Sequence, residues 1–382
     1  MYRREAQARQ RAASGNDPDG GPDANQGVAM TLINGSRREF LKTMAAAGAG
    51  LLPGCGLLAQ SARQAGRNNS GRIDVHHHFQ TPELTGGPAR GWTPARSLEQ
   101  MDKHGIATAL LSHPGDGGLF DANEKARALA RKVNEIGAKI VSDNPKRFGL
   151  LAVMPFRDVE GSIREIEYVL ETLKADGFGI TSNNGEVWPG DPSLLPIFQE
   201  LHRRKAVVFI HPFVNKCCRS LVKGVNDAVI EYDFDTTRAI TGLLFNGTLS
   251  QCPDIRFIVN HSGAAVPVLA GRIKDRVPGA STTLFSSEPS NHDGKNEKIA
   301  NGVFYELRKL YYECAHAAYP MPIAAVMKLV PTSQLLFGTD YPAEPMESTL
   351  DNLPGNGLSR EVLQAMDRGN AERLFPRFKG VA

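Results

Sequence analysis

From Gly71 onward the chain alternates short apolar runs with longer amphipathic stretches, and this alternation narrows its choice of fold more than any other feature. Eight runs qualify as strands: "RIDVHHH" (72–78), "IATALLS" (106–112), "FGLLAVM" (148–154), "GFGIT" (177–181), "AVVFIH" (206–211), "IRFIVNH" (255–261), "LYYECA" (310–315) and "LLFGTD" (335–340). Most carry Val, Ile, Leu or Phe on both faces, as a strand covered on both sides should. Helical spacing fills the intervals. Residues 121–144 open on Asp121 as an N-cap. Residues 158–175 repeat Ile163, Ile166, Val169, Leu170 and Leu173 on one face, and 233–249 and 359–375 follow the same logic. Eight such units within 71–382 predict an α/β protein, a single (β/α)8 TIM barrel with insertions. A doubly wound open sheet is the competing topology, but no glycine-rich phosphate loop supports it.

A parallel barrel opens the C-terminal ends of all its strands on one face. His76 and His78 end the first run, His211 the fifth, His261 the sixth and Asp340 the eighth. Five groups distant in sequence thus converge. Side chains alternate along a strand, so His76 and His78 share a face and can chelate one ion, whereas His77 points the other way. His77 is expected to pack or hydrogen-bond between strand and helix, and His104, before Gly105, to cap a helix end. Imidazoles with one carboxylate suit Zn2+, and also Mn2+ or Fe2+. Candidates for the pocket wall, on or after the strand ends, are Trp92, Ser112, His113, Asn183, Trp188, Phe213 and His316. Aromatics among them would sandwich a planar substrate.

These residues, with "HRRKAVVFIHP", "FDTTRAITGLLFNGTLSQCPDIRFIVNHSGAAVPVLAGR" and "LLFGTDYP", resemble the amidohydrolase superfamily in its branch of metal-dependent decarboxylases. The resemblance covers nearly all of 71–380. It implies a barrel of the metal-dependent hydrolase type. It further implies one divalent metal, zinc in first place, on His76, His78, His211 and Asp340, with His261 as catalytic acid/base. Asp340 is the other candidate for proton delivery. The fourth strand lacks the lysine that two-metal members carboxylate, which favours a mononuclear site. The implied activity is non-oxidative decarboxylation of a small hydroxybenzoate-like acid. Hydrolysis of a lactone or amide by a metal-bound water on the same site is the alternative. The resemblance also suggests a homo-oligomer.

Ahead of the barrel, "SRREFLK" (36–42) precedes a Gly/Ala-rich apolar stretch and resembles a twin-arginine export signal. The expected organisation is therefore a disordered or untranslated extension (1–29), a signal peptide (30–60), a tether (61–70) and the barrel (71–382). The protein would meet the twin-arginine machinery and reside in the periplasm. Cleavage near Ala59–Ala62 competes with lipidation at Cys55 in "LPGC". Nine Lys/Arg and five Asp/Glu precede Gly71, which leaves 35 basic against 36 acidic residues in the body. The basic excess belongs to the leader, so no nucleic-acid surface is implied. The cysteines have no metal-finger spacing and read as buried free thiols, with an oxidised pair possible after export.

Overall fold

In the computed structural model of the chain, residues 71–85, 91–115, 119, 121–277 and 294–381 are described. The extension, the signal-like segment and the tether lie outside them. Eight strands run in chain order around one parallel sheet: β1 (Arg72–His78), β2 (Ile106–Ser112), β3 (Phe148–Ala152), β4 (Gly177–Thr181), β5 (Val207–His211), β6 (Arg256–Val259), β7 (Tyr311–Glu313) and β8 (Leu335–Leu336). Its two edges meet. Val75 N–H donates to Phe337 O (3.0 Å), Asp340 N–H to His76 O (2.8 Å) and His78 N–H to Tyr341 O (2.7 Å). The sheet thereby closes as a barrel.

Helices cover the outside: α1 (Pro94–His104), α2 (Glu124–Asp143), α3 (Val159–Tyr168), α4 (Leu195–Arg203), α5 (Asp227–Phe245), α6 (Val266–Asp275) and α7 (Pro320–Leu329). Between them and the sheet lies the larger apolar layer, with Phe148, Phe178, Phe198 and Phe257 fully covered. A second cluster fills the barrel interior. Ile73, Val75, Leu110, Leu151, Val207, Phe209, Ile258 and Leu336 meet there, and Leu374, Phe375 and Phe378 from the C-terminal segment join them. The interior is thus packed, and the polar groups have room only at the strands' C-terminal ends.

Several boundaries differ from the sequence-based expectation. The cap of α2 is Asn123, whose side chain accepts from Ala126 N–H (3.0 Å), not Asp121. Helix α3 ends at Tyr168 and continues as a π-helical turn (Val169–Leu173). The last helical segment likewise widens into a π turn at Ala365–Gly369. Helix α5 starts at Asp227 behind the cap Asn226, earlier than residue 233, so Glu231, Asp233 and Asp235 all lie on its first half. Strands β3, β6, β7 and β8 stop earlier than their apolar runs. His261 therefore sits in a 3-10 turn (His261–Gly263) and Asp340 in a loop. Both have left-handed backbones, with φ of 50° and 60°. Such residues cost of order 1–3 kcal/mol each and persist where their surroundings fix them. Cys218, Cys252 and Cys314 are buried free thiols, but Cys217 is exposed. No helix among the described residues is long and apolar enough to cross a membrane.

Candidate metal centre

Strict alternation would put Asp74 on the same face as His76. Between Asp74 and His77, however, the register of β1 against β2 slips by one residue. This bulge re-aims the strand end. Asp74 points outward with His77, its Oδ2 3.1 Å from His77 Nδ1, and it also accepts from Thr339 Oγ1 (2.6 Å). His77 Nε2 meets Ser97 Oγ of α1 at 2.7 Å, so His77 ties strand to helix. Val75 joins the interior cluster, and His76 stacks edge-on against Phe209 with ring centroids 4.8 Å apart.

His76 and His78 are each held by Nδ1. For His76 the partner is Glu313 Oε1 (3.0 Å), and for His78 it is Ser112, through O (3.2 Å) and Oγ (3.0 Å). The Nε2 atoms are left facing one another at 3.2 Å. Asp340 Oδ1 lies 3.2 Å from His76 Nε2 and 2.9 Å from His78 Nε2. His211 completes the group, its ring 5.3 and 4.6 Å from those of His76 and His78. His211 Nδ1 and Asp340 Oδ1 are both buried and make no well-directed hydrogen bond. Buried lone pairs without partners are costly unless a cation takes them, and one ligand atom from each of the four residues lies within 4.8 Å of the others. Ligands on a four-coordinate ion with bonds of about 2.1 Å stand roughly 3.4 Å apart, close to the separations here. The residues present therefore fit one divalent ion.

Electrostatics agree. Burial alone would lower the pKa of His76, yet the charges of Asp340 and Glu313 push it up to about 10. Burial holds His78 below the usual histidine range and His211 well below it. Burial would raise Asp340, but His76 and the surrounding imidazole hydrogen bonds hold it well below the carboxylate range. Without metal, His76 thus keeps a proton that an ion must displace. Affinity should rise about tenfold per pH unit between roughly pH 7 and 9 and level off as His76 loses its proton. Titration calorimetry in buffers of different ionisation enthalpy should register about one proton released per ion at neutral pH.

Glu313 was not among the sequence candidates. It is fully buried on β7 and accepts three N–H bonds, from His76 Nδ1 (3.0 Å), His261 N (2.8 Å) and Ala315 N (2.6 Å). A Cβ at position 338 would collide with its Oε2, which explains Gly338. Both oxygens receive donors, so an amide would turn its own N–H against one of them. Glu313→Gln is expected to weaken metal binding by about 10- to 100-fold, measured by competition with a chromophoric chelator. Its signal in the sequence was the one carboxylate inside an otherwise uncharged strand run.

His261 lies beside the cluster, 5.9 Å from His76 and nearly parallel to it. Its Nδ1 is 2.9 Å from Asp233 Oδ1 of α5, which leaves Nε2 facing the site without a hydrogen-bond partner among the described residues. On the other side, His316 Nε2 is 2.7 Å from Asp340 Oδ2. Asp235, also overlooked, organises the wall. It accepts from Trp188 Nε1 (3.0 Å) and Ser182 Oγ (2.8 Å), and also from Asn183 Nδ2, which bonds Phe213 O as well. Arg238 leans on the same carboxylate at 3.5 Å.

Three pocket candidates have surroundings other than an open wall. Trp92 is buried in the apolar layer, its ring 6.4 Å from Phe79, and does not form an open wall. Ser112 orients His78. His113 is buried edge-on to Phe79, with ring centroids 6.1 Å apart.

Residues 73–377 match the family model described as Amidohydrolase. The chain is 33% identical over 341 residues to the decarboxylase yanB of Aspergillus niger, covering 81% of this chain and 88% of that one. It is 31% identical over 331 residues to the 6-methylsalicylic acid decarboxylase of Penicillium expansum, covering 81% and 98%. Among solved structures, a dihydroxybenzoic acid decarboxylase from Polaromonas sp. JS666, with bound manganese and 2-nitroresorcinol, superposes with a TM-score of 0.67 at 20% identity, over 80% and 97% of the two chains. A closed eight-stranded barrel, histidines and an aspartate gathered at one end, and a family match across that whole body lead to one assignment: the chain belongs to the amidohydrolase family.

Proposed function

We propose that the chain is a metal-dependent, non-oxidative decarboxylase of a small aromatic acid of the hydroxybenzoate type. One observation carries this reading: a complete set of three imidazoles and a carboxylate stands in a chain similar over 81% of its length to a 6-methylsalicylic acid decarboxylase. His76, His78, His211 and Asp340 would hold the ion. The ion would take the substrate's carboxylate and phenolate oxygens, orient the ring and offset charge on oxygen. Zinc suits these donors, and manganese, present in the Polaromonas enzyme, suits them too.

The remaining residues would deliver a proton and enclose the ring. His261 Nε2 would give its proton to the ring carbon that bears the carboxylate, and the electrons of the breaking C–C bond return to the ring as CO2 leaves. Asp233 fixes the imidazole so that this nitrogen, and not Nδ1, faces the site. Phe213 and Trp188 would flank the ring.

Purified protein loaded with one divalent metal should release one CO2 per molecule of 2-hydroxybenzoate, 6-methylsalicylate or 2,6-dihydroxybenzoate consumed, followed together with ring absorbance. Lactone opening without CO2 would overturn the reading in favour of hydrolysis.

We also propose export through the twin-arginine route to the periplasm, supported by Arg37, Arg38 and the following Phe-Leu-Lys. Cell fractionation should find the protein retained in the cytoplasm when both arginines become lysine.

A further inference from the structure

We propose that this centre takes a second, inhibitory divalent cation between His261, His316 and Asp340. The inference rests on the decarboxylase reading, because it assigns the inhibition to loss of the proton donor. Asp340 presents its two oxygens to different partners. Oδ1 faces His76 and His78, at 3.2 and 2.9 Å, while Oδ2 faces His316 Nε2 at 2.7 Å. A carboxylate so placed can bridge two ions. One ligand atom each from His261, His316 and Asp340 lie within 4.8 Å of one another, as do those of the first group.

His261 supplies the independent sign of a ligand. It is 6% exposed, and its Nε2 has no hydrogen-bond partner among the described residues. Its ring is 4.7 Å from that of His316. Asp233 on the opposite nitrogen is the kind of outer partner that orients a metal-bound imidazole. All three residues are held in left-handed backbone conformations, with φ of 50°, 57° and 60°.

The absence of a lysine on β4 argues against the two-metal arrangement that carries a carboxylated lysine. The ligands used here lie on the β6, β7 and β8 side, so that absence does not touch them. With three protein ligands against four, and with the side chain of His316 37% exposed at the rim, this site fills after the deep one. An ion there occupies His261 Nε2 and stops proton delivery.

Equilibrium dialysis of the full-length protein against Mn2+ should show two binding steps. Electron paramagnetic resonance at the second step should show the exchange-coupled spectrum of a bridged pair. Decarboxylation should rise across the first step and fall across the second. In His316→Asn the second step should weaken by about tenfold or more while the first persists. Asparagine tolerates the left-handed backbone at this position, and an unchanged thermal melt verifies folding. One ion bound, with no inhibitory limb up to millimolar metal, overturns the proposal and leaves the decarboxylase reading intact. A second step that His316→Asn leaves unaltered also overturns it. Failure to bind any ion overturns both.

Discussion

Asp340→Asn is expected to lower kcat/KM by about a thousandfold, equivalent to roughly 4 kcal/mol of transition-state stabilisation. The substitution keeps the shape of the side chain. It also keeps the backbone, since asparagine tolerates the φ of 60° found at this position. What changes is charge. Asp340 is the one residue that touches His76 and His78 through one oxygen and His316 through the other. It is also, with Glu313, what holds the proton on His76. Without its charge the group loses the anionic ligand that would partly neutralise a divalent ion, and an amide N–H cannot replace a lone pair that faces a cation. Metal content should fall together with activity, as read by elemental analysis of the dialysed variant. Retention of metal and of rates within tenfold of wild type would remove Asp340 from the ligand set.

Much of this site was legible because barrel geometry converts strand ends into neighbours. The spacing of His76 and His78 and the positions of His211, His261 and Asp340 needed only the period of a strand and the rule that parallel strands open on one face. The parts that were not legible have identifiable causes. The slip in β1 leaves no mark in "IDVHHHF", because a bulge depends on the partner strand. His261 and Asp340 looked like strand residues because the apolar runs before them continue past the last ladder hydrogen bond. Their left-handed backbones carry no glycine to announce the turn. The start of α5 was set too late because Val229 and Phe234 are exposed and blur its apolar stripe. Asp233 and Asp235, which orient His261 and the pocket wall, lay within the expected helix but carried no sign there of their partners across the fold. Trp92 was misassigned for the opposite reason. A loop tryptophan reads as a pocket wall until the aromatic beneath it, Phe79, is seen to claim it.

His261→Gln is expected to reduce kcat by about 100- to 10,000-fold, the usual range for loss of a positioned acid, while the first equivalent of metal still binds. The two effects separate because, among the described residues, the His261 ring meets the four-residue cluster by stacking on His76, while its backbone N–H bonds Glu313, the partner of His76 outside that cluster. Glutamine preserves that backbone contact and most of the volume. It cannot present a titratable nitrogen. KM should change little, since on the proposed arrangement the substrate's oxygens would be held by the ion's site and not by this ring. Asp233→Asn gives the intermediate case: the imidazole remains but loses the carboxylate on Nδ1 that fixes its orientation, so about a tenfold fall in kcat is expected, with metal binding unchanged. Solvent isotope effects on the residual rate would locate the proton transfer. Full turnover in His261→Gln, with metal bound, would pass the proton to Asp340, and Asp340 would then have to leave the ion during each cycle to carry it.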